Sequence, residues 1–350
     1  MNNKVGFVLC SNTLNAIPST RIAVLNMLPF LESAGWKTSI IFEPEEANEA
    51  PNLSGVLERV VSENCNVVIL QKVSGQSAVA LVKGLSEFGI RSIFVICDRV
   101  DVKMASVADA TVVISDYLKS LYPPELQSRI YVVHDGIENP ECFKTDWGCH
   151  NDPLRSVLVT SHDLDSLPII DFPPKWMRVC IVGRYQFGWQ RLREIYWKLR
   201  EKCHSDRLSY ARFLMNRNIT CVPWSPDTVW REMISADIGV IPILNSADVE
   251  SGGLPPDWKR KSENRLTMKM SAGLPVVATP IPSYEAVINH GQNGLFASSA
   301  ADWFRCLEKL RDPGLRREMG IAARLSVTNS YSKEEQAAKL IKVLNDTKSD

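Results

Sequence analysis

Short apolar runs alternate with amphipathic segments along the first 140 residues. Six runs rich in Val and Ile predict strands, at residues 5–9, 38–42, 67–70, 92–96, 110–114 and 130–133. Between them, apolar positions recur every three or four residues, which predicts helices at 21–33, 78–88 and 116–122. Continuous apolar strands separated by helices are typical of a parallel sheet with both faces covered. The pattern therefore predicts a doubly wound α/β domain.

The alternation stops between residues 141 and 155, where Asn, Pro and Gly predict a linker, and then starts again. Further strands are predicted at 157–160, 179–182, 220–222, 238–241 and 276–278, with helices at 190–202, 226–235, 263–272, 301–311, 313–329 and 333–344. We therefore predict an α/β protein with two doubly wound Rossmann-like domains, 1–140 and 156–330, that face each other across a cleft. A helix within 331–350 is expected to pack back toward the first domain.

Composition narrows the class of protein. The 350 residues are 45% hydrophobic and 23% charged, which is typical of a globular chain, and they begin with a strand rather than a signal-peptide core. Lys plus Arg equals Asp plus Glu at 40 each, so no overall charge attracts nucleic acid. Nine dispersed cysteines favour reduced thiols and a cytoplasmic protein. No run reaches the roughly 20 apolar residues of a membrane span, which leaves a peripheral membrane contact and the oligomeric state open.

The segment 259–294 carries the candidate chemistry. Ser262 is predicted to cap a helix that ends at Gly273. The strand at 276–278 follows, and the loop 280–284 then leads into a short helix. Such a loop offers backbone N–H groups to an anion, and nearby cations would neutralise a diphosphate: Lys259, Arg260, Lys261 and Arg265. The alternative is a solvated basic turn beside an ordinary αβ unit.

Residues 261–307 read KSENRLTMKMSAGLPVVATPIPSYEAVINHGQNGLFASSAADWFRCL. This stretch resembles the C-terminal signature of GT-B glycosyltransferases, especially the retaining group related to glycogen and sucrose-phosphate synthases. That signature has a basic residue, an AxGxPVVAT core, a small-residue loop and an NG turn before a helix. Weaker similarities occur in the family's order at 134–137, 182–184 and 236–242. The resemblance implies an acceptor-side first domain and a donor-binding second domain.

Several positions depart from the family pattern. Many relatives carry two glutamates eight residues apart, and the second binds the ribose of the donor. Arg260 and Met268 stand at those positions here, so both carboxylates are missing. Pro282 and Ser283 replace a pair of glycines. The resemblance therefore implies the transferase fold, leaves the identity of the donor open and permits an inactive relative.

The resemblance also implies roles for basic residues. Arg184 and Arg265 would stabilise the departing phosphate, because loss of a diphosphate needs fixed positive charge. Lys261 would lie beside them. Arg21, in the first turn of the first helix, would reach the same phosphates from the first domain; the alternative is an ordinary surface residue of that helix.

The loop of the signature supplies four further candidates. Ser283 would offer its N–H to the donor, and Pro282 would stiffen the loop around it. Tyr284 either stacks on the base of the donor or anchors the following helix as an apolar side chain. Glu285 lies within one residue of a glutamate that the family places in this loop, so its register is open.

Asp98 follows the fourth predicted strand and is expected to point into the cleft. Relatives place a His or Asp of the catalytic pocket near this point. Asp98 would therefore bind the acceptor hydroxyl or act as its base. The alternative is a surface carboxylate paired with Arg99.

Together these features predict a glycosyltransferase that moves a sugar from a nucleoside-diphosphate sugar to a hydroxyl acceptor, with retention. The donor is a substrate, and neither a cofactor nor a metal is expected. Two other classes stay open. A nucleotide-sugar epimerase of the same fold would form product without an acceptor, and a degenerate relative would act as a binding or scaffold protein. The residues do not identify the acceptor.

Overall fold

The computed structural model describes residues 3–147, 153–160, 173–183, 188–202, 204–243 and 253–346. They form two compact units. The first unit comprises Met1–Glu138, Val249–Ser262 and Ser330–Asp350, and the second comprises Asn139–Asp248 and Glu263–Asn329. The described part of Val249–Ser262 thus belongs to the first unit, although it lies between predicted strands of the second.

Each unit contains a parallel sheet of six strands among the described residues. The strands are β1 (Lys4–Leu9), β2 (Lys37–Phe42), β3 (Val67–Gln71), β4 (Arg91–Ile96), β5 (Ala110–Val113), β6 (Ile130–Val132), β7 (Leu154–Val159), β8 (Met177–Gly183), β9 (Ile219–Pro223), β10 (Ile238–Ile241), β11 (Val276–Ala278) and β12 (Leu295–Phe296). The strand order is β2-β1-β3-β4-β5-β6 in the first sheet and β12-β11-β10-β7-β8-β9 in the second. The prediction of an α/β protein with two doubly wound sheets is confirmed.

The helices connect these strands. They are α1 (Pro18–Thr20), α2 (Leu28–Ser33), α3 (Val56–Ser62), α4 (Gly75–Glu87), α5 (Val102–Val107), α6 (Asp116–Ser120), α7 (Gly188–Glu201), α8 (His204–Met215), α9 (Pro226–Ser235), α10 (Asn264–Ser271), α11 (Pro282–Glu285), α12 (Ala300–Lys309), α13 (Pro313–Thr328) and α14 (Lys333–Asp346). Shorter 3₁₀ turns lie at Pro124–Arg129 and Asp257–Arg260.

The helix predicted at 21–33 is divided. A π-helical turn at Arg21–Leu25 follows α1, and α2 then begins at Leu28. Pro29 occupies the first turn of α2, where its missing N–H leaves no helical hydrogen bond unmade. Proline therefore restarts the helix here.

Both faces of the first sheet are buried, because successive residues of a strand point to opposite sides. Val8 of β1 lies in one core cluster, whereas Phe7 and Leu9 lie in the other. Helices α3 to α6 cover the first cluster, and α2 and α14 cover the second.

Helix α14 supplies much of the second face's cover. Its apolar side chains Ala337, Leu340, Val343 and Leu344 are buried against the sheet. Burial of each larger side chain contributes about 1.5–3 kcal/mol. The Arg91 guanidinium also donates to the Leu344 carbonyl oxygen at 3.0 Å, and the Gln336 amide oxygen accepts the His134 N–H at 2.9 Å. The last helix is therefore an integral part of the first unit.

In the second unit, Gly320 of α13 allows a close approach of the backbone. The Trp147 indole donates to the Gly273 carbonyl oxygen at 2.8 Å. A Cβ atom on Gly320 would overlap both that carbonyl oxygen and the indole nitrogen. Gly273 itself has φ +78°, the left-handed conformation that ends α10 as predicted.

We expect Gly320→Ala to lower the free energy of unfolding. Alanine adds about 1 kcal/mol of helix propensity, but overlap with a fixed carbonyl costs about 1–3 kcal/mol. Gly84→Ala in α4 is the matched control, because its Cβ would meet only the rotatable end of Leu57. Denaturant unfolding should show a larger loss for Gly320→Ala than for Gly84→Ala. Equal stability of the two variants would contradict this account.

Candidate functional site

The predicted donor segment forms a helix, a strand and a turn in the second unit. Helix α10 begins at Asn264 with Glu263 at the N-cap and no side-chain cap, so the prediction that Ser262 caps it is wrong. Strand β11 lies at the predicted residues and pairs with β10. Pro282 then opens α11, which is only one turn long.

The side chains of this turn differ in exposure. Ser283 and Tyr284 are buried, whereas Glu285 is exposed. The N–H groups of Tyr284 and Glu285 both donate to the Ile281 carbonyl oxygen, at 2.9 and 3.0 Å. Burial raises the pKa of the Tyr284 phenol to about 12. Burial of this ring corresponds to the packing role considered for Tyr284, and the donor contacts of Pro282, Ser283, Tyr284 and Glu285 stay predictions.

Arg265 lies half-buried in the first turn of α10. Its charge acts on both Tyr284 and Lys269, so the three side chains share one electrostatic environment. Burial is the main reason that the pKa of the Tyr284 phenol is raised. The Arg265 charge partly offsets this rise, because it favours the phenolate. The position suits a cation that holds an anionic ligand near the start of a helix.

Lys269 is fully buried one turn after Arg265. Its ammonium nitrogen donates to the Arg265 carbonyl oxygen at 3.3 Å. Its stem packs over Gly239 of β10, where a Cβ would come within 2.9 Å of the lysine Cδ. Burial, reinforced by the Arg265 charge, lowers the pKa of Lys269 to about 7. The second unit therefore holds an amine that titrates near neutrality.

The basic cluster predicted around this helix is divided between the units. Lys261 belongs to the first unit, as do Lys259 and Arg260. Arg260 is buried and paired with Asp257, and Lys259 lies over the Trp258 ring. Lys261 is half-buried, and its contact with the donor stays a prediction. Arg184 lies outside the described residues.

In the first unit, Asp98 follows β4 and takes part in a network of charges. Its carboxylate lies 3.0 Å from the Lys72 ammonium, which also contacts Glu49 at 3.0 Å. Arg99 pairs with Glu49 at 2.7 Å and donates to Ser74. The pairing of Asp98 with Arg99, considered as the alternative, is not the one observed.

Lys72 organises this network from a constrained position. It is buried and adopts φ +55°, a conformation uncommon for residues other than glycine. Burial acts to lower the pKa of its ammonium, but Cys97, Asp98 and Glu49 outweigh that effect and raise the pKa. Lys72 therefore stays charged and fixes the Asp98 carboxylate at the carboxyl edge of the sheet.

A cavity of about 30 Å³ opens beside this network at the carboxyl edge of the first sheet. Its polar lining comprises Ser19, Gln71, Lys72, Cys97, His134 and Asp135. The π-helical turn supplies Ile22 and Ala23 to the wall, and such turns occur often at functional sites. The volume suits a water molecule rather than a sugar ring.

Arg21 is held by a carboxylate of its own unit. Glu138 accepts hydrogen bonds from both the Nε and the terminal nitrogen of Arg21, at 2.7 and 2.9 Å, and from Asn26 at 3.1 Å. Burial raises the pKa of Glu138, but Arg21 and Asn26 outweigh it, so the pKa is lowered. To bind a phosphate through the same two nitrogens, Arg21 would have to exchange this partner.

Comparison with known proteins adds to this geometry. No protein-family model and no curated protein matches the sequence. Among solved structures, a glycosyltransferase from Rickettsia africae ESF-5 is similar at 11% identity, with a TM-score of 0.71 over 100% of both chains. HepE from Anabaena, in complex with UDP and glucose, gives 13% identity and a TM-score of 0.67, over 98% of this chain and 100% of HepE. Sucrose-phosphate synthase from Thermosynechococcus elongatus is similar at 13% identity, with a TM-score of 0.66 over 98% of each chain.

The chain has the GT-B fold. The similarity runs through both parallel sheets, since each match covers almost the whole chain. At these identities the similarity establishes the architecture alone. In the part of the chain that the structure describes, no helix is both long and apolar enough to cross a bilayer.

Sequence reasoning missed three charged residues of this GT-B chain. Lys72 and Glu49 complete the network around Asp98, and Lys269 lies beside Arg265. For Lys269 a signal was present, because it lies four positions after Arg265 and therefore on the same helix face. For Lys72 and Glu49 the partners are far apart in sequence, and no local pattern connects them.

We expect Lys269→Met to remove a pH-dependent loss of stability. The pKa of Lys269 is about 7 when folded and 10.5 in a model peptide, so between these values the unfolded chain binds the proton more readily. The parent protein should therefore lose stability as pH falls from about 10 to 7, by roughly a few kcal/mol.

The measurement is denaturant unfolding of both proteins across that pH range. The difference between parent and Lys269→Met isolates this amine from the thiols that titrate in the same window. Lys175→Met, at an exposed position of the second unit, is the control. A parent whose pH profile is parallel to that of Lys269→Met would show that the buried amine does not titrate there.

Proposed function

We propose that this protein transfers a sugar from a nucleoside-diphosphate sugar to a hydroxyl acceptor. The observation that carries the proposal is the full-length similarity to glycosyltransferases, one of which is HepE in complex with UDP and glucose. The helix, strand and turn formed by α10, β11 and α11 support it, because they present a cation and a helix start at the carboxyl edge of the second sheet.

In this proposal the second unit holds the diphosphate. Arg265 stabilises the charge that develops as the bond to the anomeric carbon breaks, and Arg184 assists it. Lys261 belongs to the first unit but lies shortly before α10 in the chain, and it adds a further positive charge. Ser283 contributes its backbone N–H from the start of α11, which Pro282 stiffens. Tyr284 supports the turn from within the core, and Glu285 faces solvent, where a donor hydroxyl can reach it.

The first unit receives the acceptor. Asp98 accepts a hydrogen bond from the acceptor hydroxyl, with Lys72 fixing the position of the carboxylate. Arg21 joins the donor site by leaving Glu138 for a phosphate oxygen, an exchange of one bidentate anion for another. The hydroxyl oxygen bonds to the anomeric carbon on the face from which the diphosphate leaves with the electrons of the broken C–O bond, and the hydroxyl proton passes to the Asp98 carboxylate. The anomeric configuration is therefore retained.

The first test is release of nucleoside diphosphate from a panel of nucleotide sugars, with the product anomer assigned by NMR. We expect turnover of one donor class and a retained configuration. Arg265→Ala should lower kcat/KM by about 10²–10³-fold, the usual effect of removing a group that stabilises transition-state charge. Arg317→Ala, an exposed arginine of the same unit, should match the parent.

Each other outcome has a distinct meaning. A parental rate in Arg265→Ala would remove this residue from the donor site. Conversion of the donor without any acceptor would indicate an epimerase. No turnover and no binding of any nucleoside diphosphate in calorimetry would indicate a degenerate relative that acts as a binding protein.

The second test concerns metal. We propose that fixed cationic side chains and helix N-termini stabilise the negative charge of the leaving diphosphate, as a divalent ion does in other transferases. The rate of donor turnover should therefore be the same before and after exhaustive treatment with EDTA. Loss of activity on treatment, followed by recovery with manganese, would contradict a metal-independent mechanism.

A further inference from the structure

Helix α7 in the second unit exposes large apolar side chains to solvent and turns charged side chains toward the protein. Six exposed residues follow helical spacing and form what we call the aromatic–arginine face: Trp189, Leu192, Arg193, Tyr196, Trp197 and Arg200. Gln190 and Glu201 are exposed at its margin. The opposite side contains Arg191, Glu194 and Lys198, which are only half-exposed. A helix that covers a protein core normally shows the opposite arrangement.

Exposure of this face is substantial. Trp189 is 86% exposed, Leu192 57%, Tyr196 58% and Trp197 48%. No residue of α7 is buried, although Ile195 and Leu199 pack partly against the core of the second unit. Apolar residues that are exposed singly need no explanation, but a contiguous aromatic surface indicates a binding surface.

The two arginines are part of the same face. The Arg200 guanidinium lies 5.4 Å from the centre of the Trp197 ring, and the Tyr196 and Trp197 rings are 5.7 Å apart. Arg193 is exposed one turn before Trp197. The surface therefore combines rings that prefer a water–hydrocarbon interface with guanidinium groups that bind phosphate.

Helix α8 extends the pattern. Leu208, Arg212 and Met215 are exposed at helical spacing, so they also share one side of their helix. The Lys202 ammonium lies 5.7 Å from the centre of the Tyr210 ring, which links the end of α7 to α8. Residues 188–217 contain eight Lys and Arg against three Asp and Glu, although the chain as a whole has no net charge.

We propose that the aromatic–arginine face of α7 binds the surface of an anionic lipid bilayer. Helices that lie in a membrane interface carry Trp, Tyr and Leu beside Arg and Lys, as this one does. Anionic headgroups complement the local positive charge. A second copy of the chain complements it less well, because a two-fold contact through this face would bring arginines together. The surface lies on the unit proposed to bind the donor.

The experiment is co-sedimentation of the full chain with vesicles of phosphatidylcholine alone or mixed equally with phosphatidylglycerol. We expect binding to the anionic vesicles that weakens with salt. Arg193→Gln with Arg200→Gln should lower the partition coefficient about fivefold for each charge. Leu192→Ser with Tyr196→Ser should lower it about tenfold or more. Trp189 is left unchanged because it lies close in sequence to Arg184.

Matched controls carry the same changes elsewhere on the second unit. Phe304→Ser with Leu325→Ser removes two side chains that are 54% and 73% exposed, and Arg305→Gln with Arg317→Gln removes two exposed charges. Both controls should bind vesicles as the parent does. Melting temperatures check that every variant is folded, and the arginine pair and the apolar pair test the surface independently.

Three results would overturn the proposal. The first is no binding of the parent to anionic vesicles at low salt. The second is binding that both α7 variants retain in full. The third is self-association of the parent without lipid that Leu192→Ser with Tyr196→Ser abolishes, which would assign the surface to a second copy of the chain. Failure of donor turnover would leave all of these measurements interpretable, since none of them depends on activity.

Discussion

Parallel pairing of strands is the constraint on which the rest of this structure depends. Each strand must be reached by a crossover, so helices cover both faces of each sheet and only the edges stay open. The candidate chemistry of both units is found where strands end, with Asp98 after β4 and α11 after β11. A chain built in this way has few other places to bind a polar ligand.

Central strands could be predicted from the sequence because burial on both faces makes them continuous apolar runs. Strands β10 and β11 lie at the predicted residues, and β1 differs by one residue. Elements at the margins escaped prediction for the opposite reason. Strand β12 has only two residues, and α8 exposes apolar side chains on its outer side, so neither has the pattern of a buried element.

The location of the site could be predicted further than its contacts. Local sequence signals predict the order of Gly273, the strand and the Pro282 turn, and the structure has the same order. Contacts between residues that are distant in sequence could not be predicted in this way. Glu138 neutralises Arg21 from 117 positions away, and Lys269 is buried because β10 offers a glycine beneath it. Such pairings depend on how the strands and helices are arranged in space, and the sequence of a single segment does not specify that arrangement.

The place of α14 has a consequence for how the chain reaches its native state. His134 hydrogen-bonds to a residue 202 positions further along, and that late helix buries four apolar side chains against the second face of the first sheet. During synthesis the first unit therefore cannot complete its fold until the whole second unit has left the ribosome, and until then part of its apolar surface is uncovered. Domains usually fold in the order in which they are made. Here the second unit can be completed first, and the part of the first sheet that α14 covers stays exposed to water until then.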